Sequence, residues 1–455
     1  MFLSRRTKKR LLLVALVAIG CGVIYISLEE IEITRSKENI ISSFRLKGNV
    51  VSMMTRKPKV FIYPLPPKFN KDVAMCVGTE RVPHFCFHLE NGGMGTLLYR
   101  EGEMGVFHTS QFSLEVILHN QLLQSQYRTM NPEEADIFYI PAYLGMFRFC
   151  NSSESVTQLQ DEMFKIIHSM PYLKQGKPHI SSLARIEREQ AEKEYPLLMN
   201  PNCKSVTYIV IEKESLSEYR KVLGLENQRV IVAPYPSYVH QYNSNSASQA
   251  ISSPGLGARQ VLIFVAASVK NNEFRRSVLD QMSHKVTGVS FERVIHLLNE
   301  HGDELPGGVF LNTIECQTGH ENITIGWMQK SVFCLQPPGD SPTRKSFYDS
   351  IQSGCIPVIF RFADQNVEYP FQRVLNYTDF TVTIDSGRIE VRQELIRDIL
   401  NAIPQDEVKR LHQNVLKVAR MLQYSAIDSN ASDQPRAHKD ALDMIIQEVQ
   451  HMYNI

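Results

Sequence analysis

The chain has 455 residues, with 49 basic and 48 acidic side chains, a formal net charge of +1 and 43% hydrophobic residues. That length is enough for two ordinary domains. The balanced charge leaves no global field to draw in nucleic acid, and the apolar fraction is that of a soluble globular chain rather than a polytopic membrane protein.

Arg5, Arg6, Lys8, Lys9 and Arg10 precede an uncharged apolar run over 11–28, and Glu29, Glu30 and Glu32 follow it. At about 1.5 Å per residue a helix over that run spans roughly 27 Å, enough for a thin early-secretory bilayer. The positive-inside rule then makes 1–10 a cytosolic tail, 11–28 a transmembrane signal-anchor and 29–58 a stem, with the remainder lumenal. A cleaved signal peptide is the alternative, but no convincing small-x-small site precedes Glu29. Of eight cysteines, Cys21 lies inside the apolar run. Cys76 and Cys86 are candidates for a local disulfide. Cys150, Cys203 and Cys316 are available to pair with connectivity open, and Cys334 and Cys355 read as unbridged core residues on buried strands. No cysteine spacing resembles a zinc site. Sequons at Asn151, Asn322, Asn376 and Asn430 fall on the lumenal side.

The segment 59–240 alternates strand and helix: strand Val60 to Tyr63, helix Phe112 to Gln124, strand Ile137 to Pro141, a helix near Val156 to His168, then strands Thr207 to Ile211 and Val230 to Ala233. Residues 241–258, rich in Ser, Asn and Gly without periodicity, read as a linker. A second α/β domain over 259–390 contains strand Val261 to Val265, a helix near Phe274 to Met282 and strand Val309 to Asn312. Its most informative stretch is 332–360. Val332 to Leu335 is a short apolar run broken by Pro337, Pro338 and Gly339, and Ser341 or Thr343 can cap a helix to about Gln352. Gly354 stops that helix before a strand from Ile356 to Phe360. This βαβ unit carries Arg344 and Lys345 in its first helical turn, where free N–H groups and two cations attract an anion such as a diphosphate. Asp349, a turn further on, has the chemistry to accept from ribose hydroxyls. Arg275 and Arg276 can reach the same diphosphate, and Gly339 allows close backbone approach. Helices over 391–455, including an amphipathic one from Ala441 to Met452, close the chain.

The wording Cys334-Leu335-Gln336-Pro337-Pro338-Gly339-Asp340-Ser341, then Thr343-Arg344-Lys345-Ser346, then Gly354-Cys355-Ile356-Pro357-Val358 resembles the signature of the exostosin-like glycosyltransferases, family 47, in its xyloglucan galactosyltransferase branch. Five further stretches resemble that family in its order: Val60 to Pro66, Asn91 to Gly95, His108 to Glu115, Ala135 to Pro141, and Pro234 to Tyr238. Two stretches depart from it. The central Gly-Arg-Asp-His-Phe appears as Gly176-Lys177-Pro178-His179-Ile180, and a glycine after the strand at Phe264 is replaced by Ala266. Both departures are expected to touch the active cleft.

The resemblance implies a GT-B fold, two facing Rossmann-like domains, with donor nucleotide on the second and acceptor on the first. It implies inverting transfer of a sugar, galactose first, from a UDP-sugar to a polysaccharide or glycoprotein glycan by a single-pass type II Golgi enzyme. Glucuronic acid, arabinose, xylose and N-acetylglucosamine are the other sugars the family allows. A catalytically silent partner of an active paralogue, in a homo- or hetero-dimer, is the non-enzyme alternative, motivated by Pro178 and Ala266. No Asp-x-Asp pair occurs in the chain, so neither metal nor other cofactor is expected. The base is sought at Glu115, then Asp136, with His108 and His179 on the acceptor side. No nucleic acid partner is expected.

Overall fold

The computed structural model describes residues 56–455 apart from 78–87, 151–152, 191–197, 199, 215–216, 243–250, 252, 268–271, 287–308, 313–319, 364 and 427–437, together with the backbone of Ala15–Ile19 and Gly22–Ile26. The chain divides into two compact units, Met1–Lys57 and Pro58–Ile455. In the first, Ala15–Ile19 and Gly22–Ile26 pair as antiparallel strands where a helix over 11–28 is expected. Val17, Ile19, Val23, Ile24 and Ile26 are β-branched, and Gly20 and Gly22 punctuate the run, so its local preferences favour a hairpin. Among the described residues no helix is long and apolar enough to cross a membrane.

The second unit holds two parallel sheets. The first is built from β1 (Val60–Ile62), β4 (Arg128–Thr129), β5 (Ile137–Ile140), β6 (His179–Ile186), β7 (Thr207–Glu212) and β8 (Val230–Val232), in the order β8-β7-β6-β5-β1-β4. The second runs β11 (Val309–Asn312), β10 (Val261–Ala266), β12 (Ser331–Gln336), β13 (Ile356–Arg361) and β14 (Val382–Asp385), in that spatial order. Every pairing within these two sheets is parallel. Strands such as Ile137–Ile140 and Thr207–Glu212 are buried at every position, because crossover helices cover both faces. A small antiparallel sheet of β2 (Leu97–Glu101), β3 (Met104–Phe107) and β9 (Val239–Gln241) stands beside them.

Helices α1 (Lys71–Val77), α2 (Leu114–Leu123), α3 (Leu144–Cys150) and α4 (Ser153–His168) serve the first sheet, and α5 (Glu273–Val286), α6 (His320–Lys330) and α7 (Lys345–Gln352) the second. All eight residues of α7 are buried, so the cation-bearing helix of the signature is an internal element. After α8 (Gln405–Val418) the chain returns to the first sheet through α9 (Ala441–Tyr453). There Tyr453 and Thr207 share a hydroxyl bond of 2.7 Å, and Tyr127 donates to Asp443 at 2.7 Å. Asp440 opens α9 with a capping box.

The disulfides differ from expectation. Cys76 bonds Cys150, tying α1 to α3, and Cys334 bonds Cys355, although both read as unbridged. Sequence proximity favoured Cys86 as the partner of Cys76, but packing of α1 on α3 brings the Cys76 and Cys150 Cα atoms within 6.1 Å. Cys334 lies on β12 and Cys355 just before the neighbouring parallel strand β13, 5.9 Å apart at Cα. Cys203 keeps a buried thiol, held against Tyr208. Cys86 and Cys316 lie outside the described residues.

Candidate active site at the carboxyl edges of the sheets

In open α/β sheets ligands bind beyond the carboxyl ends of the strands, where the strand order reverses. In the second sheet that point lies between β10 and β12, which neighbour each other although β11 intervenes in sequence. Arg344 spans it. One guanidinium nitrogen donates to the Ala266 carbonyl ending β10 at 2.7 Å, and the other to the Pro337 carbonyl just past β12 at 3.0 Å. Arg275, in the first turn of α5, donates from Nε to the Pro338 carbonyl at 3.2 Å, and Asn272 Nδ2 lies 3.2 Å from the Pro338 and Gly339 carbonyls. A Cβ at Gly339 would sit 2.6 Å from the Arg275 guanidinium, so glycine there lets the arginine lie flat on the loop.

Burial, and then the neighbouring Arg275, pull the Arg344 pKa down to about 9, while burial lowers that of Arg275. Two desolvated guanidiniums side by side at the amino end of a helix are stabilised by an anion. Arg276 is exposed on α5 and takes no part in this cluster.

Lys345 and Asp349 depart from their expected roles. The Lys345 ammonium turns inward, 3.2 and 3.3 Å from the two Asp349 oxygens and over the Tyr238 ring. Burial lowers its pKa to about 8. Asp349 Oδ1 also accepts from Ser237 Oγ and from the Tyr238 N–H, both at 2.8 Å. A carboxylate so occupied, and only 2% exposed, fastens α7 to the Pro234–Tyr238 turn of the first half and has little left for a ribose. The reciprocal link comes from Glu212, which ends β7. Its Oε2 accepts from Ser341 Oγ and the Thr343 N–H, both at 3.0 Å, and from Thr343 Oγ1. Burial raises the Glu212 pKa, against the pull of the Thr343 and Ser341 hydrogen bonds. Sequence reasoning passed over Glu212. The signal was a carboxylate directly after an all-apolar strand, at the sheet edge where sites form.

The first-half candidates separate by edge. Asp136 precedes β5 and accepts from the Lys59 N–H at 2.7 Å, at the amino edge of the sheet. His179 opens β6 at the same edge, its ring between the Tyr63 hydroxyl at 2.8 Å and the Lys177 carbonyl at 2.7 Å, stacked on Phe138. Burial lowers its pKa to about 4. Parallel strands place these two residues a full strand length from the cleft, which removes them as base and acceptor-side group. Pro178 stands there too, its carbonyl accepting from Phe138, so that departure is remote from the chemistry. Ala266, by contrast, lies at the cleft beneath Arg344. Glu115 is fully buried and accepts from the Gly145 N–H at 2.7 Å, capping α3. Burial pushes its carboxyl up to about 8, opposed by the backbone N–H groups of Gly145, Met146 and Ala184 and by Arg185.

His108 is at the cleft. It follows β3 and precedes the amino end of α2, and its Nδ1 lies 2.6 Å from Glu321 Oε1 in the first turn of α6. The Asn91–Gly95 stretch sets its backbone. Gly95 has φ +88°, and a Cβ there would lie 2.2 Å from the His108 carbonyl oxygen. Glu321 belonged to no motif and was missed. Of the sequons, Asn322 and Asn376 are exposed, and Asn151 and Asn430 lie outside the described residues.

Residues 54–399 match the family described as the exostosin GT47 domain. The chain is 29% identical to a xyloglucan-specific galacturonosyltransferase of Arabidopsis thaliana over 73% of this chain and 48% of that protein. It thus spans about half the length of that relative. It is 26% identical to a probable xyloglucan galactosyltransferase of the same plant, over 86% of this chain and 82% of the other. A crystal structure of a glycosyltransferase from Rickettsia africae aligns over 74% of this chain and 81% of that one at 11% identity, with a TM-score of 0.35, too low to carry an argument. The match over most of its length makes this chain a member of the exostosin glycosyltransferase family 47.

Proposed function

We propose that the chain moves a sugar from a UDP-sugar to a glycan acceptor with inversion. The observation that carries this reading is Arg344 bridging the strand ends of β10 and β12, with Arg275 beside it. There the two guanidiniums and the amino end of α7 receive the diphosphate and stabilise its growing charge as the sugar leaves, a role that needs no metal. The relatives are named as a xyloglucan-specific galacturonosyltransferase and a probable xyloglucan galactosyltransferase, so UDP-galactose is the first donor to try, UDP-galacturonate the second, and a xyloglucan oligosaccharide the first acceptor.

The test follows UDP release by the full chain from a panel of UDP-sugars with that acceptor, with Arg344→Ala alongside. Release from one donor, lost in the variant, supports the reading. Silence with every donor and acceptor favours a non-catalytic partner of a paralogue.

We also place the chain in the Golgi membrane through 11–28. An isolated two-stranded hairpin leaves edge groups unsatisfied in lipid, so insertion would require that run to become a helix. Resistance to carbonate extraction, with glycans on Asn322 and Asn376, tests this placement.

A further inference from the structure

We propose that His108 is the general base of the transfer and that Glu321 positions it and faces the charge it takes on, an inference resting on the transferase reading above. The two come from opposite halves. His108 lies between β3 and α2 on the acceptor side, and Glu321 opens α6 on the donor side. Helices in these halves run against the strands, so the amino ends of α2, α6 and α7 all face the carboxyl edges. The pair therefore lies where the halves meet, beside the helix whose cap is Arg344.

His108 Nδ1 and Glu321 Oε1 are 2.6 Å apart, with side chains 6% and 7% exposed, so the carboxylate acts on the ring through little water. The contact is close but off the line of a hydrogen bond, so the carboxylate acts on the ring as a nearby negative charge, and Nε2, on the far side of the ring, is the nitrogen assigned to take the proton. The ring of His88 packs edge-to-face at 4.0 Å. The other charged groups around the pair are Glu90, which acts on His88, and Lys345, which acts on Glu321 and lies over Tyr238. Of the first-half candidates read from the sequence, Asp136 and His179 stand at the far edge and Glu115 is fully buried against the start of α3, while Glu212 is held by Ser341 and Thr343, which leaves His108 as the candidate base.

In the step, Nε2 takes the acceptor hydroxyl proton while an electron pair of that oxygen forms the bond to the anomeric carbon. The bond from that carbon to the diphosphate breaks, and its electrons leave with UDP toward Arg344 and Arg275. The imidazolium formed faces the Glu321 carboxylate until it returns its proton to water.

Two measurements on the full chain test this. First, diethyl pyrocarbonate modification of His108 is followed by peptide mass spectrometry in wild type and Glu321→Gln, with and without UDP and acceptor. We expect His108 to react in both and to be protected by acceptor with UDP. Second, His108→Gln is expected to lower kcat by about 10²–10⁴-fold, and Glu321→Gln by a smaller factor, each with KM for the UDP-sugar changed less than about threefold. An unreactive His108, a Glu321→Gln enzyme with wild-type kcat, or a His108→Gln enzyme within about threefold of wild type would overturn the assignment. No UDP release by the wild type sinks the transferase reading itself. A wild type that turns over beside an equally active His108→Gln sinks the base alone.

Discussion

Asp349 offers the sharpest test of how the two halves are joined. Its carboxylate is 2% exposed and receives Ser237 Oγ, the Tyr238 N–H and the Lys345 ammonium. In Asp349→Ala those donors lose their acceptor, and Lys345 is left as a buried charge without its counter-ion. Breaking one partner out of such a pair costs about 3–5 kcal/mol. The ready relaxation of Lys345 to its neutral form, its pKa already lowered to about 8 by burial, holds the loss toward the lower end. Asp349→Asn keeps an oxygen for Ser237 and Tyr238 and loses mainly the ion pair, so about 1–2 kcal/mol is expected. The assay is guanidinium unfolding followed by circular dichroism, with UDP affinity measured by calorimetry on the folded variants. If Asp349→Ala unfolds at the wild-type denaturant concentration and binds UDP about tenfold more weakly, a 1.4 kcal/mol loss, the carboxylate faces the nucleotide and the clamp argument is wrong.

Glu115 makes stability depend on pH. Its carboxyl titrates near 8 when folded against 4.5 when unfolded, so its contribution is complete below pH 4.5 and is lost as pH rises toward 8. That window is worth on the order of 5 kcal/mol at about 1.4 per unit. Glu115→Gln is expected to flatten the slope of unfolding free energy between pH 5 and 8, and parallel curves would contradict it. Replacing both Cys334 and Cys355 with alanine opens a loop of sequence separation 21 and should lower stability by about 3 kcal/mol in denaturant titrations, with Cys76–Cys150 intact. Arg344→Lys keeps the charge but cannot span the Ala266 and Pro337 carbonyls, so UDP affinity by calorimetry should fall about tenfold, and an unchanged value would count against the bridge.

Local chemistry made the second half legible. The break at Pro337–Gly339, the cations at Arg344 and Lys345 and the stop at Gly354 announce strand, loop, helix and strand in order, and the structure has them as β12, α7 and β13. The apolar strands of the first half were legible for the same reason, since a buried parallel strand is a short apolar run bounded by breakers. The sequence could not say which end of a strand meets the cleft. Asp136 and Glu212 are both carboxylates beside all-buried strands, but one precedes β5 and the other ends β7, and only the parallel pairing of the sheet puts the second at the site. Nor could it say which way a side chain turns. Lys345 and Arg344 are adjacent, but the helix carries one inward to Asp349 and leaves the other across the strand ends. The disulfides and the His108–Glu321 pair are long-range meetings of the same kind. Type and position along the chain follow from local preference, whereas partnership follows from which elements pack together, and that is decided by burying the apolar faces of the whole fold at once.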